Sequence, residues 1–399
     1  MQGDLLRSFS GSVCTYNGVR ILSSIVGVVV ILGVLLDAFE TMILPRRVQR
    51  AFRLTSVFYR NTWIPWTRLS RHIRSSNRRE SYLSYFGPLS LIMLLVVWAS
   101  GLIFGFALLQ YGIGGHIRAT DGPINFPVLL YHSGETFFTL GYGDIVPDTG
   151  PSRTLAVLES GLGFAFLGII IGYLPVVYSS FSKRELQISL LDARAGSPPT
   201  ATELLHRLGC CPDQSVLDSV FRDWEQWASE ILESHLSYPV LSFFRSQHSN
   251  QSWQAALTVV LDVTALVLAG IDGIRPEQAK LTFAMARHAA VDLAQVVNAR
   301  YDPNEPDRLP PQELARLRQI LLANGLHLRS DEKADQKISK LRLLYEPYVQ
   351  GIARNLLVTL PPWIPAEKRK DNWQGSPWDK NIQQLRATDA VQAVMDDHF

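Results

Sequence analysis

One short run of the chain, TLGYGD at residues 139–144, has residue types that could bind an ion through its backbone. Glycine has no Cβ and adopts positive φ readily, so Gly141 and Gly143 allow successive carbonyl oxygens to point to the same side. A row of such oxygens can replace the water around a dehydrated monovalent cation. The chemistry predicted here is therefore ion coordination, with no covalent step and no organic cofactor.

The run lies between two of three stretches that are apolar enough to span a bilayer, which takes about 20 residues at about 1.5 Å each. The first stretch covers 21–44, the second about 88–111 and the third about 154–181. All three contain glycines, which let neighbouring membrane helices approach closely. The 399 residues are 47% hydrophobic and 19% charged. Soluble domains are roughly 25% charged, so this balance also indicates a membrane protein.

About forty residues separate the second stretch from the third, and they include the apolar run NFPVLLYHSGETFFT, which has helical character. We expect this run to enter the membrane as a short helix and to return as extended chain. Irregular backbone at membrane depth is tolerated only where it lines a cavity. The sequence therefore predicts a re-entrant pore helix followed by an ion-binding strand.

These residues resemble the potassium channels, whose signature Thr-Val-Gly-Tyr-Gly appears here with Leu140 in place of Val. The resemblance extends over about residues 88–181. It implies a selectivity filter at residues 139–143 and a ring of four identical chains. K⁺ would be the permeant ion, bound by the carbonyls of Thr139, Leu140, Gly141 and Tyr142, with the Thr139 hydroxyl added at the innermost site.

The resemblance also assigns roles around the filter. Glu135 would pair with Asp144 behind the filter and brace its strand, and Tyr142 would be an outward packing group. Phe137 and Phe138 stand where smaller residues are usual, and Leu140 replaces Val or Ile. Three alternatives stay open: a nonselective cation pore, a re-entrant hairpin without conduction, and a membrane-anchored receptor or enzyme that acts through residues 182–399.

The arginines predict the orientation of the chain. Residues 46–86 carry ten arginines against the single acid Glu80, which places this segment in the cytoplasm. The N-terminus is then outside and the C-terminal part is cytoplasmic, and we expect a bacterial inner membrane. The predicted class is an all-α membrane protein with an extracytoplasmic N-terminus at 1–20, a peripheral helix at 21–45, a basic linker at 46–86, a pore domain at 87–181 and a helical cytoplasmic domain at 182–399.

The third stretch contains residues that could form a gate. Gly168 and Gly172 permit close packing or bending, and Pro175 removes a backbone hydrogen bond near the cytoplasmic end. A gate at 172–178 is one interpretation, and a fixed kink is the other. Charged residues inside the stretches usually face a partner. We expect Asp37 and Glu40 to neutralise Arg46, Arg47 or another base, and Glu159 to cap or pair near the pore helix; proton or ion sensing by these acids is the alternative.

The basic linker includes FYRNTWIPWTRLSRHIR, in which aromatic residues and arginines recur at helical spacing. Such a helix suits the inner surface of a membrane, where anionic headgroups attract basic side chains. Arg68, Arg71 and Arg74 are the candidates for contact with acidic lipids. The alternative is that these arginines only set the topology. Neither of the first two stretches carries the regularly repeated arginines of a voltage sensor.

The C-terminal part is predicted to be helical, with helices near 213–236 and 311–325. The apolar segment 254–270 contains Asp262 and is expected to be a buried helix rather than a fourth span. No dinucleotide-binding glycine motif occurs after residue 182, the histidines lack metal-ligand spacing, and no catalytic constellation stands out. Cys210 and Cys211 are adjacent, which is weak support for a redox switch. An enzyme and a nucleic-acid partner are therefore not predicted, and the ligand of this part stays open.

Overall fold

The computed structural model describes residues 2–44, 53–114, 117–120, 122–209, 214–248 and 250–365, with side chains from residue 17 onward. Several predictions fall outside the described residues: the pairing partners Arg46 and Arg47, the adjacent Cys210 and Cys211, and the tail after residue 365. The chain divides into two compact units, which are Met1–Trp66 with Pro88–Tyr178, and Thr67–Gly87 with Ser179–Phe399.

The predicted all-α class is confirmed, since the regular elements of the described residues are helices apart from two three-residue strands. In chain order the first elements are α1 (Gln2–Met42), α2 (Leu54–Ser70), α3 (Ser76–Ser84), α4 (Phe86–Gly112), β1 (Ile117–Ala119), α5 (Phe126–Phe137), β2 (Ile145–Pro147) and α6 (Gly150–Ala195). The remainder are α7 (Ala201–Gly209), α8 (Gln214–Ser237), a 3-10 helix at Pro239–Phe243, α9 (Trp253–Gly270), α10 (Glu277–Val296), α11 (Pro311–Ala323), α12 (Glu332–Leu343) and α13 (Glu346–Leu356).

The helix α1 packs against α4 through glycines. A Cβ built on Gly27 would lie 2.8 Å from the carbonyl oxygen of Gly105, and a Cβ on Gly105 would lie 2.7 Å from Ile31. Gly101, four residues before Gly105, is similarly close to Val34. Small residues four apart let two membrane helices approach along their backbones. The first predicted stretch is therefore a helix packed on the outer side of α4.

The C-terminal end of α1 holds the start of α2. Asp37 is fully buried, and its carboxylate accepts hydrogen bonds from the Thr55 backbone N–H at 3.1 Å, the Thr55 hydroxyl at 2.6 Å and the Trp98 indole at 3.0 Å. The first N–H groups of a helix have no partner in the helix, so a carboxylate stabilises them. The expected arginine partner of Asp37 is thus not found among the described residues, whereas Glu40 pairs with Arg53 at 3.7 Å.

Two boundaries differ from the sequence prediction. The third span was expected to end near residue 181, but α6 continues as one helix to Ala195 and passes through Pro175. Residues 67–87, expected to form part of a separate linker, group with the C-terminal unit. In that unit Glu80 forms an ion pair with Arg245 at 3.3 Å, and Gly87 packs against Phe244.

Four described helical segments are long and apolar enough to cross a membrane: Asn17–Met42, Ser76–Gly112, Gly150–Ala195 and Trp253–Gly270. The last of these is α9, and 89% of its apolar window is buried inside the protein. Asp262, in the middle of α9, accepts hydrogen bonds from the Tyr345 phenol at 2.6 Å and from Arg308 at 2.6 Å. The helix α9 is therefore a buried helix of the C-terminal unit, as expected for this segment.

The C-terminal part of α6 carries a buried arginine. Arg184 donates hydrogen bonds to the carbonyls of Leu241 and Phe244, each at 2.9 Å, and forms an ion pair with Glu185 at 2.9 Å. The Nε2 atom of His235 lies 3.3 Å from the Arg184 guanidinium, while Nδ1 lies 2.9 Å from the Ile231 carbonyl. A neutral imidazole with its proton on Nδ1 satisfies both contacts, because Nε2 then accepts from Arg184.

We expect the stability of the protein to fall in mild acid because of His235. Burial, and then the charge of Arg184, lowers the pKa of His235 well below its usual value of 6.5. In the unfolded chain the imidazole takes up a proton as the pH falls through about 6.5, but in the folded chain it does not, so stability is full above this pH and is lost below it. The loss approaches about 1.4 kcal/mol per pH unit.

Thermal unfolding of the purified full-length protein, followed by tryptophan fluorescence from neutral pH to about pH 5.5, measures this loss. The variant His235→Gln keeps an acceptor for Arg184 but cannot be protonated, so its unfolding temperature should vary less with pH. His248→Gln is the matched control, because His248 is exposed. Equal pH dependence in the wild type and His235→Gln would contradict the assignment.

Candidate functional site

The helix α5 begins and ends as its sequence predicts. The Asn125 side chain accepts a hydrogen bond from the Val128 N–H at 3.1 Å, and Pro127 occupies the first turn. These are usual signals for the start of a helix. At the other end Phe138 has left the helical conformation, and its N–H still bonds the Gly134 carbonyl at 3.0 Å. The re-entrant run is therefore a twelve-residue helix that ends at Phe137.

The backbone after α5 alternates in the sign of φ. Thr139, Gly141 and Gly143 have φ of 55°, 64° and 79°, whereas Leu140 and Tyr142 between them do not have positive φ. Positive φ is unfavourable for a β-branched residue such as Thr139, and such an outlier at a defined position indicates a functional constraint. Alternation of this kind turns successive peptide groups the same way, which is the conformation that a row of carbonyl ligands requires.

The outer end of this segment is held by the strand pair that the sequence did not predict. The strands β1 and β2 are antiparallel, with Ala119 opposite Ile145. The Asp144 carbonyl accepts two hydrogen bonds from Thr120, from its N–H at 3.0 Å and from its hydroxyl at 2.9 Å. A small apolar core of Ile117, Leu129 and Ile145 ties the strands to α5. This core fixes the point where the filter segment ends.

The predicted bracing pair does not form a hydrogen bond among the described residues. The Asp144 side chain lies close to the Tyr131 phenol instead. Glu135 is buried, and its Oε2 atom has no hydrogen-bond partner within the described chain. His132, one turn earlier, is also buried, and neither of its ring nitrogens has a hydrogen-bond partner within the described chain. Pairing of Glu135 with Asp144 stays a prediction, and Tyr131 is a neighbour of Asp144 that the sequence did not predict.

The inner end of the segment rests on α6. A Cβ built on Gly163 would lie 2.0 Å from the carbonyl oxygen of Phe137, so only glycine fits where the end of α5 meets α6. The Phe137 ring packs beside Phe166, with centroids 5.9 Å apart. The Leu140 N–H bonds the Glu135 carbonyl at 2.9 Å and closes the turn from the helix into the filter segment.

Apolar side chains around the filter segment are exposed in the single chain. Leu140 and Tyr142 expose 53% and 70% of their surface, and Val157 and Phe164 on α6 expose 72% and 74%. Large exposed apolar surfaces are covered in the working protein by lipid or by other protein chains. The exposure of Tyr142 in the filter segment favours another chain at that point.

The gate candidates lie on a continuous helix. Gly168 and Gly172 each have open space where a Cβ would stand. Pro175 lies inside α6 and is exposed. As expected for Glu159, its side chain is fully buried and contacts the Ser133 hydroxyl of α5.

The three arginines that are candidates for lipid contact do not all lie on one helix, as the prediction had them. The helix α2 ends at Ser70, so Arg68 lies in its last turn while Arg71 and Arg74 follow the helix; all three are exposed. The aromatic residues Tyr59 and Trp63 point into the protein rather than outward. Tyr59 lies close to Tyr173 of α6.

Comparison with known proteins defines the class. Residues 92–179 match the model of a protein family described as "Ion channel", and this range covers most of α4, all of α5, residues 139–144 and α6 as far as Ser179. The chain therefore contains an ion channel domain. The resemblance to ion channels predicted from residues 139–144 is confirmed at this level, while selectivity for potassium stays a prediction.

A relative extends the similarity beyond this domain. Over 283 residues the chain is 25% identical to an uncharacterized membrane protein of Bacillus subtilis (strain 168), YdjJ, and the alignment covers 70% of this chain and 81% of the relative. Because the alignment is longer than the channel domain, part of the similarity lies outside it. No solved structure matches this chain. The protein is thus a membrane protein with an ion channel domain.

Proposed function

We propose that this protein is a potassium-selective channel in which four identical chains surround one pore. The alternating φ of residues 139–143, in an exposed segment that follows the partly buried helix α5, is the observation that carries the proposal. K⁺ would lose its water to the carbonyls of Thr139, Leu140, Gly141 and Tyr142. Conduction is passive, and no residue acts as a catalyst.

Four chains are proposed because one segment supplies only one side of a coordination cage. Repetition around a fourfold axis turns each carbonyl into a ring of four oxygens, and a ring of chains closed by rotation has identical contacts throughout. The exposed Tyr142 would then pack behind the filter in the assembly, and the exposed face of α6 around Phe164 would meet lipid or a neighbouring chain. The N-terminus lies outside a bacterial inner membrane and the C-terminal unit lies in the cytoplasm in this proposal.

Ion flux from liposomes tests the proposal. Purified protein is reconstituted, and efflux is driven by a potassium gradient and then by a sodium gradient of equal size. Potassium efflux well above sodium efflux is the expected result. Equal fluxes would instead identify a nonselective pore, with Leu140 as the first residue to revert to Val. No flux from verified tetramers, with or without anionic lipid, would contradict conduction under these conditions.

We place the gate near the inner end of α6, at Gly168, Gly172 and Pro175. Replacing Pro175 with Ala supplies an N–H for the Ile171 carbonyl, and one added hydrogen bond is worth about 1 kcal/mol. The straight helix would be favoured about fivefold per chain, so single-channel open probability should change by at least that factor. Val176→Ala, at an exposed neighbouring position, is the control. An unchanged open probability in Pro175→Ala would leave Pro175 as a fixed kink.

We also propose that Arg68, Arg71 and Arg74 bind anionic lipid headgroups, because all three are exposed at the end of α2. Each basic residue near an anionic surface contributes about 1 kcal/mol. Replacing all three with Gln should weaken retention of a labelled anionic lipid by about 100-fold. Gln substitutions at Lys333, Lys337 and Lys340, which are exposed on α12, match the charge change. Equal retention in the two triple variants would assign the arginines to topology alone.

A further inference from the structure

A buried carboxylic acid lies behind the pore helix. Glu159 of α6 has no exposed surface, and the Ser133 hydroxyl of α5 is its polar contact among the described residues. The second carboxylate oxygen, Oε2, is buried without a hydrogen-bond partner in that part of the chain. The site lies within the segment that matches the ion channel family.

The Ser133 hydroxyl has two neighbours but one proton. It lies 2.7 Å from the carbonyl oxygen of Ile103 in α4, and it also contacts Oε1 of Glu159. A carbonyl oxygen can only accept a hydrogen bond, and an ionised carboxylate can also only accept. If Glu159 were ionised, two acceptors would compete for one hydroxyl proton, and one of them would be left without a donor.

Burial makes the ionised form still less favourable. Burying an unpaired carboxylate away from water costs so much free energy that such a group usually takes up a proton and becomes neutral. Acids inside membrane helices are otherwise paired. Arg or Lys side chains are absent from the contacts of Glu159 among the described residues, and Ser133 cannot supply a charge. A protonated Glu159 removes both problems, because its hydroxyl donates to Ser133, and Ser133 then donates to Ile103.

We infer that Glu159 keeps its proton at neutral pH and starts a directed chain of hydrogen bonds, from Glu159 to Ser133 to the Ile103 carbonyl, which positions the pore helix. The chain joins α6, α5 and α4 at one point. Ser133 lies on α5 six residues before Thr139, so the position of the chain sets the position of the filter segment. Glu159 is thus a positioning residue, and its effect on conduction rests on the proposed function.

The protonation state can be measured without any flux. Infrared difference spectra of the reconstituted protein at neutral pH should contain the C=O stretch of a protonated carboxylic acid that disappears in Glu159→Gln. The band should shift in Ser133→Ala, which removes its hydrogen-bond partner. Glu135→Gln serves as the control for assignment, since Glu135 is a second buried acid on α5. If no protonated-acid band is lost in Glu159→Gln, the inference is overturned.

The positioning role is tested by two substitutions of similar size. Glu159→Gln retains an N–H donor for Ser133, so potassium flux should stay within about twofold of the wild type, whereas Glu159→Leu has no donor, and flux should fall about tenfold or more. Equal impairment of the two variants would exclude the hydrogen-bond chain. If the wild type itself carries no potassium, the proposed function fails, and the infrared band still decides whether Glu159 holds its proton.

Discussion

Replacing Gly141 with Ala is expected to abolish potassium flux through the reconstituted protein. Gly141 has φ of 64°, and no atom outside the neighbouring residues lies within 4 Å of the position of an added Cβ. The penalty is therefore the backbone conformation itself, about 1–2 kcal/mol for an L-residue in the left-handed region. In the proposed ring of four chains the penalty adds up to roughly 4–8 kcal/mol, which would leave almost no pores with all four segments in the binding conformation.

A matched substitution separates this effect from general destabilisation. Gly273 in the C-terminal unit has φ of 84° and equally open surroundings, so Gly273→Ala carries the same local cost outside the pore. We expect Gly273→Ala to assemble and to conduct, at somewhat lower stability. Both variants are compared by size-exclusion chromatography and by potassium efflux. Normal flux in Gly141→Ala, or loss of flux in both variants, would contradict the role of residue 141 in the filter.

The channel domain could be predicted from sequence because its signals are local. The apolar length of α4 and α6, the Asn-Phe-Pro start of α5 and the two glycines around Tyr142 each depend on neighbours in the chain. The strands β1 and β2 could not be predicted, since three residues are too few to display an alternating pattern. The contact between Tyr131 and Asp144 could not be predicted either, because the fold brings these side chains together.

The helix α6 continues beyond the predicted span for a physical reason. Hydropathy marks where apolar residues stop, near Phe181, but a helix does not have to end where its membrane-spanning part ends. The helix α6 continues because Arg184, Glu185 and Ile188 are buried in the C-terminal unit. Hydropathy therefore located the span, while the length of the helix was determined by the packing of side chains that follow the span.

The sequence does not distinguish the glycines of α6 from one another, because Gly161, Gly163, Gly168 and Gly172 are alike in sequence. The structure distinguishes them by what an added Cβ would meet, which is nothing within 4 Å at three positions and the Phe137 carbonyl at 2.0 Å at Gly163. Close approach at Gly163 involves the last residue of the pore helix. Gly163 thus contacts the end of α5, which supports the filter, whereas nothing lies close to the gate candidates Gly168 and Gly172.

Replacing Gly163 with Ala should therefore disable conduction, although the residue lies outside the filter. The Cβ cannot remain 2.0 Å from a backbone oxygen, so the end of α5 must move away from α6 by about an ångström. Such overpacking costs about 1–3 kcal/mol, and it displaces the turn from which Thr139 begins. We expect potassium flux to fall roughly tenfold to 100-fold, because the filter segment can no longer be held in its binding conformation.

The control for this substitution lies two residues away. Gly161→Ala is on the same helix, meets nothing within 4 Å, and should stabilise α6 by up to about 1 kcal/mol because alanine is the better helix former. Comparing the two variants in one flux assay removes helix propensity as an explanation, since both exchange glycine for alanine in α6. Equal flux from Gly163→Ala and Gly161→Ala would mean that the end of α5 can shift without disturbing the filter. The filter would then have to be supported by the strand pair and Tyr131 alone.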